Sequence, residues 1–130
     1  MSVNQIMIKI LVVDDNHTPR EVISEALKQF NIQVTEASNG VEATKIIEKE
    51  KFNLVITDVV MPEMNGYELC RWIKSNPGTE KVPVIICSTK GEEFDIHWAT
   101  KQGADAYIIK PFKTMELLKT IKYLLKHNVG

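Results

Sequence analysis

The chain is short of cysteine, of long apolar runs and of any excess of charge of one sign, and each shortage excludes a class of protein. Its two cysteines, Cys70 and Cys87, lack metal-ligand spacing and fall on a predicted helix and a predicted strand, so they read as reduced core thiols. Sixteen basic residues stand against seventeen acidic ones, a net charge of −1, which leaves no basic field to hold nucleic acid. No apolar run approaches the ~20 residues needed to cross a bilayer. The N-terminal stretch MSVNQIMIKILVV has its first lysine inside the apolar run and meets Asp14 directly afterwards, unlike a secretory signal. A soluble, cytoplasmic protein is therefore expected. The histidines His17, His97 and His127 show no ligand spacing and no nucleophile-histidine-acid set, and all three read as solvated helix residues. No repeat, low-complexity segment or linker interrupts residues 1–130, so one domain is expected, and 44% hydrophobic content suffices for its core.

What is present is a regular alternation of strand and helix. Short apolar, largely β-branched runs predict strands near 7–13, 32–36, 53–57, 82–87 and 105–109. Between them, Val22, Ile23, Ala26, Leu27 and Phe30 fall on one helical face, after a capping box read at Thr18-Pro19-Arg20-Glu21. Asn39, with Glu42 three residues on, caps a second helix that ends near Glu50. A third follows Pro62-Glu63-Met64-Asn65-Gly66, carries Leu69, Cys70 and Ile73, and stops at Asn76-Pro77-Gly78. A fourth runs from about Glu92 to Gln102 before Gly103. The fifth carries Met115, Leu118, Ile121 and Leu125 on one stripe and reaches about His127.

This pattern predicts an α/β fold, a (βα)5 doubly wound five-stranded parallel sheet. Strand two alternates apolar and polar residues, as an edge strand does, whereas strands one, three and four are almost continuously apolar. The economical order is 2-1-3-4-5, with a crevice where strands one and three diverge. Four strands end in polar groups suited to phosphoryl chemistry: Asp14 and Asp15, Asp58, Ser88, and Lys110. A parallel sheet brings such ends to one edge. Each group alone is an ordinary helix cap, loop acid or solvated lysine; the ordered set is not.

That set, with Lys110-Pro111 and the segment Asp58-Val59-Val60-Met61-Pro62-Glu63-Met64-Asn65-Gly66, closely resembles the CheY-like receiver domain of two-component response regulators. The resemblance covers essentially the whole chain. It implies that Asp58 is the phosphoacceptor, that Lys110 neutralises phosphoryl charge and that Ser88 hydrogen-bonds a phosphoryl oxygen. It further implies Mg²⁺ (or Mn²⁺) held by Asp15, Asp58 and the backbone carbonyl of Val60 directly, and by Asp14 through water. Ser88 and Tyr107 would form the switch, and the Lys110-Pro111 bond would be cis, placing Pro111 in a cis-proline turn. Implied partners are a sensor histidine kinase or phosphotransfer protein and a downstream target docking on helix four, strand five and helix five, with no DNA-binding domain and no membrane span. Such a domain is not an enzyme in the usual sense, since it catalyses only its own phosphorylation and dephosphorylation.

A narrower likeness, from Ser88-Thr89-Lys90-Gly91-Glu92 through Tyr107, is to PilH-type and cyanobacterial single-domain regulators of type IV pilus motility. The chain departs from the family where Thr89 follows Ser88, since that residue is commonly alanine or glycine. Either Thr89 restricts access to the site or it is a plain loop residue, and the phosphoryl lifetime is not carried over. Trp98 is read as helix-four core, with a partner anchor as the alternative. Other readings fit less well. An FMN binder on this fold needs a phosphate-cradling loop where Asp14-Asp15-Asn16 stands, and a phosphohydrolase needs an acid where Val60 stands. A receiver cut from a larger regulator or hybrid kinase stays open.

Overall fold

The computed structural model describes residues 7–127. Five strands and five helices alternate: β1 (Lys9–Val13), α1 (His17–Lys28), β2 (Gln33–Ala37), α2 (Gly40–Lys49), β3 (Leu54–Thr57), α3 (Gly66–Ser75), β4 (Val84–Ser88), α4 (Glu93–Lys101), β5 (Ala106–Ile109) and α5 (Thr114–His127). All strand pairs are parallel, and the sheet order is β2-β1-β3-β4-β5. The order read from the contrast between strand two and its neighbours is the one found. β2 buries only Ala37 fully, while every residue of β3 and β4 is buried.

Two apolar layers explain the continuous strands. Successive side chains point to opposite faces of a strand, so a strand covered on both sides must be apolar throughout. Ile10, Val12, Leu54, Ile56, Ile85 and Ile108 meet Ile23 and Leu27 of α1 and Leu117 and Ile121 of α5. Leu11, Val13, Val55 and Val84 face the other way, against Ala43 of α2 and Leu69, Cys70 and Ile73 of α3. Burying one such aliphatic side chain stabilises the fold by about 1.5–3 kcal/mol. Cys70 and Cys87 are buried free thiols, as their spacing implied.

Several local readings need correction. The cap of α1 is Asn16, whose side chain accepts from the Thr18 N–H, and not the predicted Thr18; Pro19 lies inside the first turn. Of the stripe assigned to α1, Ile23 and Leu27 are buried, but Val22 and Phe30 are 60% and 51% exposed. On α5, Met115 is exposed and Leu117 takes the buried place. For Val22 and Met115 the cause is common: α1 and α5 cover one face of a five-stranded sheet, so each buries a narrow line of residues and leaves its flank open, whereas Phe30 lies past the end of α1 at Lys28. Trp98 is also 43% exposed, because the nine-residue α4 buries only Ala99. α2 and α3 start where predicted, with Asn39 and Asn65 accepting from Glu42 N–H and Glu68 N–H. In α3 the Glu68 carboxylate also accepts from the Asn65 N–H, completing a capping box.

Candidate functional site: an acidic cluster with one lysine

The register of the sheet carries the site. Val13 of β1 lies beside Thr57 of β3, so the residues that follow each strand emerge together at the switch point. Asp14, Asp15 and Asp58 each offer a carboxylate oxygen within 4.8 Å of one another. Their exposures differ: Asp14 is buried, Asp58 intermediate and Asp15 exposed.

Lys110, beyond the end of β5, reaches across from the other side. Its Nζ donates to Asp14 Oδ2 at 2.9 Å and lies 3.5 Å from Asp58 Oδ2. Burial pulls the Lys110 ammonium towards neutrality, but the hydrogen bond to Asp14 and the charges of Asp58 and Asp14 outweigh it and hold its pKa above the ordinary lysine value. The ammonium therefore stays charged at neutral pH. The Lys110-Pro111 peptide bond is cis.

Backbone groups fix the acids. Asp58 Oδ1 accepts the Val59 N–H at 2.6 Å, which leaves Oδ2 towards Lys110. Asp14 Oδ1 accepts the Asn16 N–H at 2.9 Å, and the Asp14 carbonyl accepts from Arg20 Nη1 at 2.7 Å. Arg20 is itself held by Glu36 of β2 at 2.8 Å. Behind Asp58, Gly66 opens α3 so close to the strand end that a Cβ there would lie 2.0 Å from the Asp58 carbonyl oxygen. Only glycine fits. Val60 lies two residues past Asp58 in the same loop, with its side chain 60% exposed.

Ser88 ends β4 in a buried place, and its Oγ accepts the Lys90 N–H at 3.1 Å. Tyr107 of β5 donates from its hydroxyl to the Lys90 carbonyl, and that hydroxyl is a hydrogen-bond neighbour of Ser88. Thr89 is exposed and lines, with Pro19, Val22, Lys110 and Pro111, a cleft of about 400 Å³ between α1 and the start of α5. His17 is exposed at the start of α1, 3.6 Å from Glu21. It takes no part in the cluster.

Chemically, three carboxylates and one ammonium leave an excess of negative charge facing solvent through Asp15. Hard oxygen donors in that arrangement suit a divalent cation such as Mg²⁺ and, once neutralised, a nucleophilic carboxylate. The whole geometry sits inside one family match, since the model of the response regulator receiver domain aligns with residues 10–122. The chain belongs to that family.

Other receivers show the same extent. Protein PilH of Pseudomonas aeruginosa is 38% identical over 119 residues, covering 92% of this chain and 98% of that protein. The chemotaxis protein CheY homologue of Campylobacter jejuni is 40% identical over 124 residues, covering 94% of this chain and 95% of its own. The receiver domain of a sensor histidine kinase from P. aeruginosa PAO1 superposes with a TM-score of 0.86 at 26% identity, over 93% of this chain and 99% of that one. That structure was solved with a magnesium ion coordinated in its active site cleft. As a receiver, the chain has the general phosphoacceptor role of its family in two-component signalling. Among the described residues, no helix is long and apolar enough to cross a membrane.

Sequence reasoning missed Tyr67. This α3 residue packs with Tyr107 on Val59, Ile86 and Ala99, and its hydroxyl donates to the Asp95 carbonyl of α4 at 3.3 Å. Nothing in the local pattern marks it, because its neighbours come from four separate elements.

Proposed function

We propose that this receiver, acting as a single domain over residues 1–130, accepts a phosphoryl group on Asp58 from a phosphohistidine of a sensor histidine kinase or phosphotransfer protein. One observation carries the reading: the Asp58 carboxylate sits at the switch point, inside a three-acid cluster and 3.5 Å from Lys110 Nζ. In the step, an Asp58 oxygen forms the new O–P bond as the P–N bond breaks. The electron pair returns to the imidazole nitrogen, which is then protonated. A small acyl phosphate donor would react in the same way, its carboxylate leaving.

Asp15, Asp58 and the Val60 carbonyl would hold Mg²⁺ or Mn²⁺, with Asp14 reaching it through water. The donor set supports this, being all oxygen, clustered and short of positive charge, and a magnesium ion occupies the cleft of the related kinase receiver. When bound, such an ion supplies positive charge against the phosphoryl oxygens. Lys110 adds charge from the opposite side, and its link to Asp14 keeps it aimed at Asp58.

Ser88 would leave Lys90 to bond a phosphoryl oxygen, and Tyr107 would follow it. Moving an equilibrium from 1:99 to 99:1 needs about 5.5 kcal/mol, more than one charge-assisted hydrogen bond of roughly 1.5–3 kcal/mol supplies. A target protein binding α4, β5 and α5 would complete the shift. The exposure of Phe94, Trp98, Ile109 and Tyr123 on those elements supports such a surface, and likeness to the chemotaxis protein CheY homologue supports a role in chemotaxis or pilus motility signalling. Acetyl-phosphate labelling of the wild type and Asp58→Asn tests the assignment. Labelling should vanish in the variant; undiminished labelling would sink it.

A further inference from the structure

Tyr67 stands in the first turn of α3, yet its hydroxyl reaches α4, donating to the Asp95 carbonyl at 3.3 Å. Its hydroxyl also lies beside that of Tyr107. Tyr107 donates to the Lys90 carbonyl, while the Lys90 N–H donates to Ser88 Oγ at 3.1 Å. Lys90 is thus held through both its N–H and its C=O, and Tyr67 holds the chain again five residues later. Both rings pack on Val59, Ile86 and Ala99, so packing sets where they lie. Burial keeps both phenols neutral and able to donate, with Tyr107 pushed up to about 12 and Tyr67 raised as well.

In the switch proposed above, Ser88 turns towards a phosphoryl oxygen on Asp58 and gives up the Lys90 N–H. That movement displaces the segment between β4 and α4, and so strains the contacts to the Lys90 and Asp95 carbonyls. We propose that Tyr67 is a positioning residue of the switch, which restrains the β4–α4 segment through Tyr107 and Asp95 and so opposes its rearrangement. The inference rests on the reading of Asp58 as acceptor. The hydroxyl of Tyr67 is the group that matters, and its ring serves packing.

The experiment is a titration of the full chain with beryllofluoride in excess Mg²⁺, followed by ¹⁹F NMR of protein labelled with 3-fluorotyrosine. The chain has three tyrosines, so the Tyr107 resonance is assigned with Tyr123→Phe and Tyr107→Phe. Tyr67→Phe should half-saturate at a beryllofluoride concentration roughly two- to tenfold lower than wild type, the ratio for losing one neutral hydrogen bond. In a Tyr107→Phe background that also carries Trp72→Phe, so that Trp98 is the one fluorescent tryptophan, Tyr67→Phe should change the midpoint by a smaller factor. Equal or higher midpoints for Tyr67→Phe, or a full additive effect without the Tyr107 hydroxyl, would overturn the proposal. A wild type that does not respond would overturn the Asp58 reading and this inference with it. Urea unfolding of Tyr67→Phe serves as the control, since a general loss of packing would lower stability without tightening the response.

Discussion

Replacing Lys110 by methionine keeps most of the side chain's reach and apolar stem but removes the ammonium set between Asp14 and Asp58. At an effective dielectric near 20, attraction over 2.9 Å and 3.5 Å is worth about 5.7 and 4.7 kcal/mol. Carboxylate oxygens within 4.8 Å then repel by about 3.5 kcal/mol with nothing between them. Relief from desolvating the ammonium offsets much of the gross loss. The net cost should be about 3–5 kcal/mol, the range for removing one partner of a buried pair, and a large share of the ~5–15 kcal/mol that holds a domain together. Urea unfolding by circular dichroism, with divalent ions chelated, measures it directly. In an Asp58→Asn background the same substitution should cost less, by about 0.5–3 kcal/mol of coupling. Excess Mg²⁺ should restore part of the loss, because a divalent cation replaces the missing charge. Equal costs in both backgrounds, together with no response to Mg²⁺, would refute the view that Lys110 stabilises by neutralising these acids.

Three further outcomes follow from the geometry. Gly66→Ala would press a Cβ to 2.0 Å from the Asp58 carbonyl oxygen, so it should destabilise by about 1–3 kcal/mol and slow acetyl-phosphate labelling; a wild-type urea midpoint would contradict the close approach. Asn65→Ala removes the cap acceptor of α3 and should cost about 1 kcal/mol, read from the same unfolding curves. Stability should also fall at alkaline pH. Burial lifts Cys70 and Cys87 from 9.0 to about 12, and Tyr107 from 10.0 to about 12. Each of these folded values is raised, so the contribution is whole below the unfolded pKa and disappears as pH rises towards the folded one, on the order of 4 kcal/mol for each thiol between pH 9 and 12. Lys110, also raised, acts in the same direction. Urea midpoints that stay flat from pH 8 to 11 would show that these groups are less buried than described.

The architecture was legible because its signals are strong and periodic. β1, β3 and β4 are almost continuously apolar and β2 is not, which places β2 at an edge; the rest of the order is the economical doubly wound one that the receiver resemblance shares, and it brings Asp14, Asp15, Asp58 and Lys110 to one edge. What failed was the assignment of single side chains. Val22 and Met115 obey the helical period, but period alone does not say how wide a stripe the sheet can cover, and Phe30 falls past the end of α1. At the start of α1, Asn16 and Thr18 are both good caps, and the choice rests on where β1 releases the chain. Tyr67 was invisible for another reason. Its role depends on residues 88, 95 and 107 meeting in space, and no local pattern encodes that.

The two glycines flanking the β3–α3 loop carry a mechanical implication. A Cβ on Gly66 would strike the Asp58 carbonyl, and one on Gly40 would come within 2.6 Å of the Met64 carbonyl oxygen. The loop bearing Asp58 is thus closely approached by the starts of both α2 and α3. On the proposed reading of Asp58, a displacement that follows its occupancy would be taken up across the crevice, by the segment from Ser88 to α4, leaving one fixed jaw and one moving jaw.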